Sequence, residues 1–240
     1  MITIEIKELT IGINSPSFLN LFISSQTILD KRGHPRAFEI TLLPGMVGEI
    51  IDEPLDGDTF LIRFPFYPSP VYVLKNHVSF TKGLYEANFL NLDEQLNRLK
   101  SCLGRAYLWG GNHLGKTQFF KKHFNLEKKT IREERAIELD GIDCSGLLFY
   151  ATNFKTPRNT KDLQTYGESV KDIAYIRPLD LILTKGHVMI VLDNSRVIQS
   201  KQNRGVFVSS LRVELFKLFR KKIFKEKVMD ESEFSIRRYY

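Results

Sequence analysis

Apolar and polar positions alternate with a period of two along the first third of the chain. Residues 2–7 alternate in this way, and ITLLPGMVGEIIDE (40–53) sets a Pro-Gly turn signal between two apolar runs. TFLIRFPFY (59–67) and PVYVLKNHVSF (70–80) are rich in β-branched and aromatic residues, with turn signals at Asp56-Gly57-Asp58 and Pro68-Ser69-Pro70. Short strands at this spacing predict a small barrel or sandwich over residues 1–88. The period then lengthens. Leu92, Leu96, Leu99 and Leu103 recur at steps of four, three and four; Asn91 with Glu94 signals a helix start, and Gly104 a stop. Residues 112–140 are polar and mixed in charge and read as an inserted helix or flap. From Val170 the strand pattern returns in DLILT, HVMIVLD, RVIQSK and GVFVSS. LRVELFKLFRKKIFKEKV (211–228) reads as a basic helix, and FSIRRYY (234–240) as a closing strand. The boundary between the two predicted domains, 1–88 and 89–240, falls near residue 88.

Composition narrows the class. Of 240 residues, 42% are hydrophobic and 26% charged, which suffices for a core and excludes a disordered or low-complexity chain. The net charge of +7 favours an anionic partner without identifying it. Cys102 and Cys144 are too few for a disulfide framework and point to a reducing compartment or a thiol kept for chemistry. The opening MITIEIKELT lacks the basic and apolar blocks of a secretory signal, and no run of about 18 apolar residues occurs, so a cytoplasmic protein without a membrane span is expected. Lys217, Arg220, Lys221, Lys222, Lys225 and Lys227 read as a solvated helix face; without an accompanying recognition motif, no nucleic-acid partner is expected. P-loop, GxGxxG and clustered ligand patterns are absent, so neither a cofactor nor a metal is expected.

The chemistry concentrates in DGIDCSGLLFYAT (140–152), where Cys144 stands at the passage from a Gly-containing loop to a helix-compatible run. A helix N-terminus favours thiolate, and the small Ser145 and Gly146 leave room for a carbonyl. A buried structural cysteine is the competing reading, as it is for Cys102 on the leucine-rich helix. His187 opens HVMIVLD after a Lys185-Gly186 turn, where an imidazole can serve as the base for a distant thiol. His34, His77, His113 and His123 are weaker candidates. If Asp193-Asn194-Ser195 is a three-residue loop, Leu192 pairs with Arg196 and paired numbers sum to 388; a two-residue loop would put His187 and Gln199 on opposite faces and leave Gln199 an ordinary exposed strand residue. With three residues, His187 and Gln199 are diagonal neighbours on one face, and the Gln199 amide oxygen can accept the imidazole Nδ1–H.

YLWGG (107–111), DCSGLL (143–148), PRNTKDLQTYG (157–167), RPLDLIL (177–183) and HVMIVLDNSRVIQS (187–200) follow the order seen in the NlpC/P60 family of papain-like cysteine peptidases, which cut peptidoglycan stem peptides. The resemblance covers about residues 92–210. It implies that Cys144 is the nucleophile, His187 the base and Gln199 the third polar residue, with Tyr107 helping to hold the oxyanion. Asp143 and Ser145 are similar to residues that bind the free amine of the stem peptide in relatives carrying a bacterial SH3-type (SH3b) domain. Trp109, Gly110 and Gly111 would shape their loop, and Gln164 and Gly167 would be structural. Met189 stands where the family usually has Gly and is expected to narrow the cleft; Leu179 also replaces a typical Gly, and the stretch from Gly111 to Asp143 is longer than usual. The expected architecture is therefore α+β: an SH3-like β-barrel followed by a papain-like catalytic domain. The implied activity is a γ-D-glutamyl–diamino-acid (meso-diaminopimelate) endopeptidase acting on stem peptides or muropeptides. The alternatives are a decayed wall-binding or scaffold protein, and an amidase or acyltransferase on another amide or ester.

Overall fold

The structure, a computed structural model, describes residues 2–16, 29–31, 33–54, 57–83, 88–118 and 130–240. Asp56, His123 and the pairs Lys121-Lys122 and Lys128-Lys129 from the polar insert lie outside the described residues. The helices are α1 (Leu92–Ser101), α2 (Ile131–Glu138), α3 (Cys144–Ala151), α4 (Thr160–Leu163) and α5 (Leu211–Phe219). Two compact units emerge, Met1–Glu86 with Leu108–Ile142, and Ala87–Tyr107 with Asp143–Tyr240.

The first unit holds β1 (Thr3–Ile6), β2 (Thr10–Ile13), β3 (Phe38–Leu42), β4 (Val47–Asp52), β5 (Thr59–Arg63), β6 (Val71–Leu74) and β7 (Val78–Thr81). They form one antiparallel sheet in the order β3-β2-β6-β5-β4-β1-β7. Among the described residues no pairing joins β3 to β7, so the sheet stays open and the expected barrel is not closed. Its weakest seam is β2 against β6, a single pair Ile13–Tyr72, beside a register shift at Gly12–Ile13 that spends β2 largely on β3. Ile11, Ile13, Phe38 and Leu74 from the sheet pack on Leu108, Ala136, Ile137 and Leu139. Helix α2 is fixed at its start by a reciprocal cap between Thr130 and Glu133. Gly111 must be glycine because a Cβ there would stand 2.3 Å from the Gly141 carbonyl oxygen.

The second unit holds β8 (Glu168–Ser169), β9 (Leu181–Thr184), β10 (His187–Val191), β11 (Arg196–Lys201), β12 (Gly205–Ser210), β13 (Ile223–Phe224) and β14 (Glu233–Arg238). The sheet runs β12-β11-β10-β9-β14-β13, with β8 on β14; only β13–β14 is parallel. The closing strand expected at the C-terminus is thus internal to the sheet. Helix α1 carries the Asn91–Glu94 capping box in full. Leu99 on α1 is buried, whereas Leu103, beyond its end, is exposed; Gln95 is buried and accepts a 2.7 Å hydrogen bond from the Tyr239 hydroxyl. Helix α3 is buried on nearly every side, which explains its unbroken apolar run after Gly146.

The long basic helix expected over 211–228 stops at Phe219. Phe219 meets Phe234 edge-on at 5.0 Å and Phe224 stacks on Phe234 at 5.1 Å. Both rings reach the buried Phe234 only if the chain turns back at 220–222, and those aromatic contacts oppose continuation of the helix. The β10–β11 hairpin has the register expected from a three-residue loop: Ile190 pairs with Ile198 and Val191 with Val197. Asp193 stabilises that loop by accepting from Ser195 N–H at 2.9 Å. No described helix is long and apolar enough to cross a membrane.

Candidate active site

Cys144 is the first residue of α3, behind Asp143 as N-cap, whose Oδ1 accepts the Gly146 N–H at 2.7 Å. Its sulfur lies 3.9 Å from the Gly186 carbonyl oxygen and receives the Val188 and Ser145 backbone N–H groups. The thiol therefore abuts the backbone on both sides of His187. Burial pushes its pKa up from 9.0 to about 12, with the Asp143 charge adding to the rise; the two N–H groups and Arg158 oppose it only in part. The helix terminus alone favours thiolate, but desolvation wins, and the resting group is a thiol.

His187 begins β10, and its Nε2 lies 2.9 Å from Gln199 Oε1. Gln199 is fully buried on β11, and its amide nitrogen donates to Ser209 Oγ at 2.9 Å. This second bond aims the amide oxygen at the imidazole, so Nε2 carries the proton and Nδ1 is the acceptor. The diagonal register brings the two residues together as the hairpin predicts, but through Nε2 rather than the expected Nδ1. Burial lowers the His187 pKa below 6.5; the Gln199 bond and Glu214 pull it back up, and Lys201 lowers it further. Among the described residues the thiol and the imidazole make no hydrogen bond to each other.

Arg158, to which the sequence pattern assigns no role, is 2% exposed. Its guanidinium grips Asp143 with two parallel bonds, 3.0 Å to Oδ1 and 2.6 Å to Oδ2, and donates to Ser145 Oγ at 2.9 Å. Both residues expected to bind a substrate amine are therefore held by a buried cation. No spacing rule finds such a partner; the only signal was an arginine inside an otherwise recognisable block. Tyr107 is half-buried and follows a segment pinned to β12, where Gly104 N–H donates to Val206 O at 3.0 Å and Val206 N–H to Arg105 O at 2.8 Å. Gly205 permits that approach: it has φ +70°, and a Cβ would stand 2.1 Å from the Arg105 carbonyl.

The departures from the family pattern also find places. Met189 is 3% exposed and packs with Ile182, Val191, Val197, Leu211 and Phe234, so it belongs to the core and does not narrow a cleft. Leu179 adopts φ +68°, the region glycine favours, at a cost of roughly 1–2 kcal/mol. Its side chain is fully buried, which offsets that strain.

The buried thiols set a pH window for stability. Cys102, like Cys144, is pushed from 9.0 to about 12 by burial. Above pH 9 the unfolded chain releases both protons while the folded one keeps them, so unfolding free energy falls as pH rises toward 12. Burial raises the Tyr239 phenol too, which steepens the fall above pH 10. In acid, the lowered His187 pKa acts the other way: its contribution is complete above 6.5 and shrinks as pH falls below it. Urea denaturation across pH should show this plateau, and replacing both cysteines by alanine should flatten the decline between pH 9 and 10.

The sequence profile of the NlpC/P60 family matches residues 104–223, half of the chain. No curated protein matches it. Among solved structures, an NlpC/P60 family protein from Bacillus cereus is 18% identical, with a TM-score of 0.43, over 99% of this chain and 63% of that one. The chain thus spans less than two thirds of that protein. NlpC1 from Trichomonas vaginalis is 17% identical over 99% of this chain and 69% of its own, with a TM-score of 0.40. RipD from Mycobacterium tuberculosis, described as a non-catalytic NlpC/p60 domain protein adapted to peptidoglycan binding, is 20% identical over 62% of this chain and 98% of its own, with a TM-score of 0.40.

Proposed function

The chain belongs to the NlpC/P60 family, whose members are generally peptidoglycan hydrolases, and from that premise we propose that it is a cysteine endopeptidase cutting the γ-D-glutamyl–diamino-acid bond of stem peptides. One observation carries the reading: a thiol at the first turn of α3 abuts the residues flanking His187, whose Nε2 is occupied by Gln199. That leaves Nδ1 as the proton acceptor. In the reaction, Nδ1 takes the thiol proton as the sulfur attacks the amide carbonyl carbon. The oxyanion is held by the Cys144 backbone N–H and Tyr107. Collapse breaks the C–N bond, the imidazolium proton passes to the departing amine, and a water deprotonated by His187 then hydrolyses the thioester.

Amine recognition by Asp143 and Ser145 would require the substrate ammonium to share the carboxylate with Arg158. A carboxylate already neutralised by a guanidinium attracts a second cation less strongly, so selectivity for free amines would be modest. Residues 1–88, which carry the strands of the first unit, are read as a bacterial SH3-type module.

A second reading, a binding protein without turnover, is favoured by the neutral, buried state of Cys144. Incubation of defined muropeptides with the wild type and with Cys144→Ala, followed by weighing the products, separates the two. Wild-type products split between glutamate and the diamino acid, absent from the variant, support the peptidase; identical products from both overturn it.

A further inference from the structure

A cavity of about 560 Å³ opens in the second unit. Its walls come from three stretches far apart in the chain: α4 and the turn after it, the β9–β10 turn, and the segment between β13 and β14. Each contributes a lysine: Lys161, Lys185 and Lys227 respectively. Asp162 is the sole acidic residue in the lining. The three lysines are exposed, and among the described residues none forms an ion pair. Lys227, expected from the sequence pattern on a solvated helix face, lies beyond the end of the helix at Phe219.

The cavity is built into the fold. The buried Gln164 accepts from Val228 N–H at 3.3 Å and from Ser235 Oγ at 3.0 Å, and its amide nitrogen reaches Thr184 O at 3.5 Å. One amide thus ties all three walls to the sheet. Gly186 belongs to the cavity and to the thiol site at once, its carbonyl oxygen being 3.9 Å from Cys144 Sγ. Neither Cys144 nor His187 lines the cavity, so Gly186 separates a ligand there from the thiol.

We infer that this cavity is a subsite for a carboxylate of the substrate flanking the scissile amide. The inference rests on the peptidase reading and deepens it. A γ-glutamyl linkage leaves the glutamyl α-carboxylate unbonded next to the scissile amide, and a diamino acid with two carboxyl groups supplies another. Three ammonium groups outnumber Asp162 in the lining and the exposed Asp230 that interacts with Lys185, and the net positive charge suits an anion of either origin.

The test uses the full chain with Lys161, Lys185 and Lys227 all replaced by alanine. The substrates are L-alanyl-γ-D-glutamyl-meso-diaminopimelate and two derivatives, one amidated at the glutamyl α-carboxyl and one at a diaminopimelate carboxyl. The triple variant is expected to raise KM for the unmodified peptide about tenfold, with the loss shrinking at high salt. Amidation of the recognised carboxylate should raise the wild-type KM equally and abolish the difference between the two proteins, which identifies the carboxylate. Equal KM values for the two proteins on the unmodified peptide, or indifference to both amidations, would overturn the subsite. Titration of the unmodified peptide into Cys144→Ala, with and without the lysine substitutions, reads the subsite separately from turnover. A wild type that binds through the lysines without cutting sinks the peptidase reading alone; binding unaffected by the lysines sinks the subsite alone.

Discussion

Replacing Arg158 with methionine is expected to lower the unfolding free energy by about 3–5 kcal/mol, the cost of leaving a buried charge without its partner. Asp143 is 7% exposed and its two oxygens face the guanidinium in a parallel pair. Without Arg158 the carboxylate keeps the Gly146 N–H but loses the cation that balances its charge. The double variant Arg158→Met, Asp143→Asn should be more stable than Arg158→Met alone, because it removes the orphaned charge while an amide still caps α3. The same loss reaches Cys144: Arg158 opposes the rise in its pKa and Asp143 promotes it, so the single variant should react more slowly with an alkylating agent near neutral pH. Urea midpoints and Cys144 alkylation rates check both parts. A single variant as stable as the wild type would mean that the pair carries no net coupling.

His187→Ala is expected to reduce kcat/KM on muropeptides by about 10²–10⁴, the usual worth of a positioned acid–base group, and to lower the urea midpoint as well, because the buried Gln199 amide oxygen loses its partner. The direction of the imidazole shift fixes the pH profile. The base must be neutral to accept the thiol proton, and burial holds its pKa below 6.5. Wild-type activity should therefore climb through the acid range and already be level at neutral pH, with no further rise until the thiol itself begins to ionise toward about 12. In the alanine variant the acid limb should vanish, and residual turnover should increase with pH as hydroxide replaces the missing base. Retention of the acid limb would assign that ionisation to another group.

Some of this site is legible one residue at a time. The loop Asp193-Asn194-Ser195 sets a hairpin register, the register sets a face, and the face joins His187 to Gln199 at 2.9 Å. Asn91 and Glu94 announce α1 because both halves of the cap lie within one turn. The end of α5 cannot be read in this way, since Phe219 and Phe224 are drawn together by Phe234, ten residues beyond the nearer ring. The burial of Met189 against α5 and β14 is likewise invisible from its neighbours in the chain. The same holds for the packing of Leu108 and α2 against the first sheet.

By itself the chain determines which atoms are available for chemistry: a sulfur heading a helix, an imidazole opening a strand, an amide one hairpin away. These follow from caps, turns and periodicities that act over a few residues and survive any arrangement of the rest. Tertiary structure alone decided their charge states and their company. Desolvation and the guanidinium of Arg158 come from neighbours distant in sequence, so the thiol of Cys144 is pushed up to about 12 where its helix terminus alone would favour the thiolate.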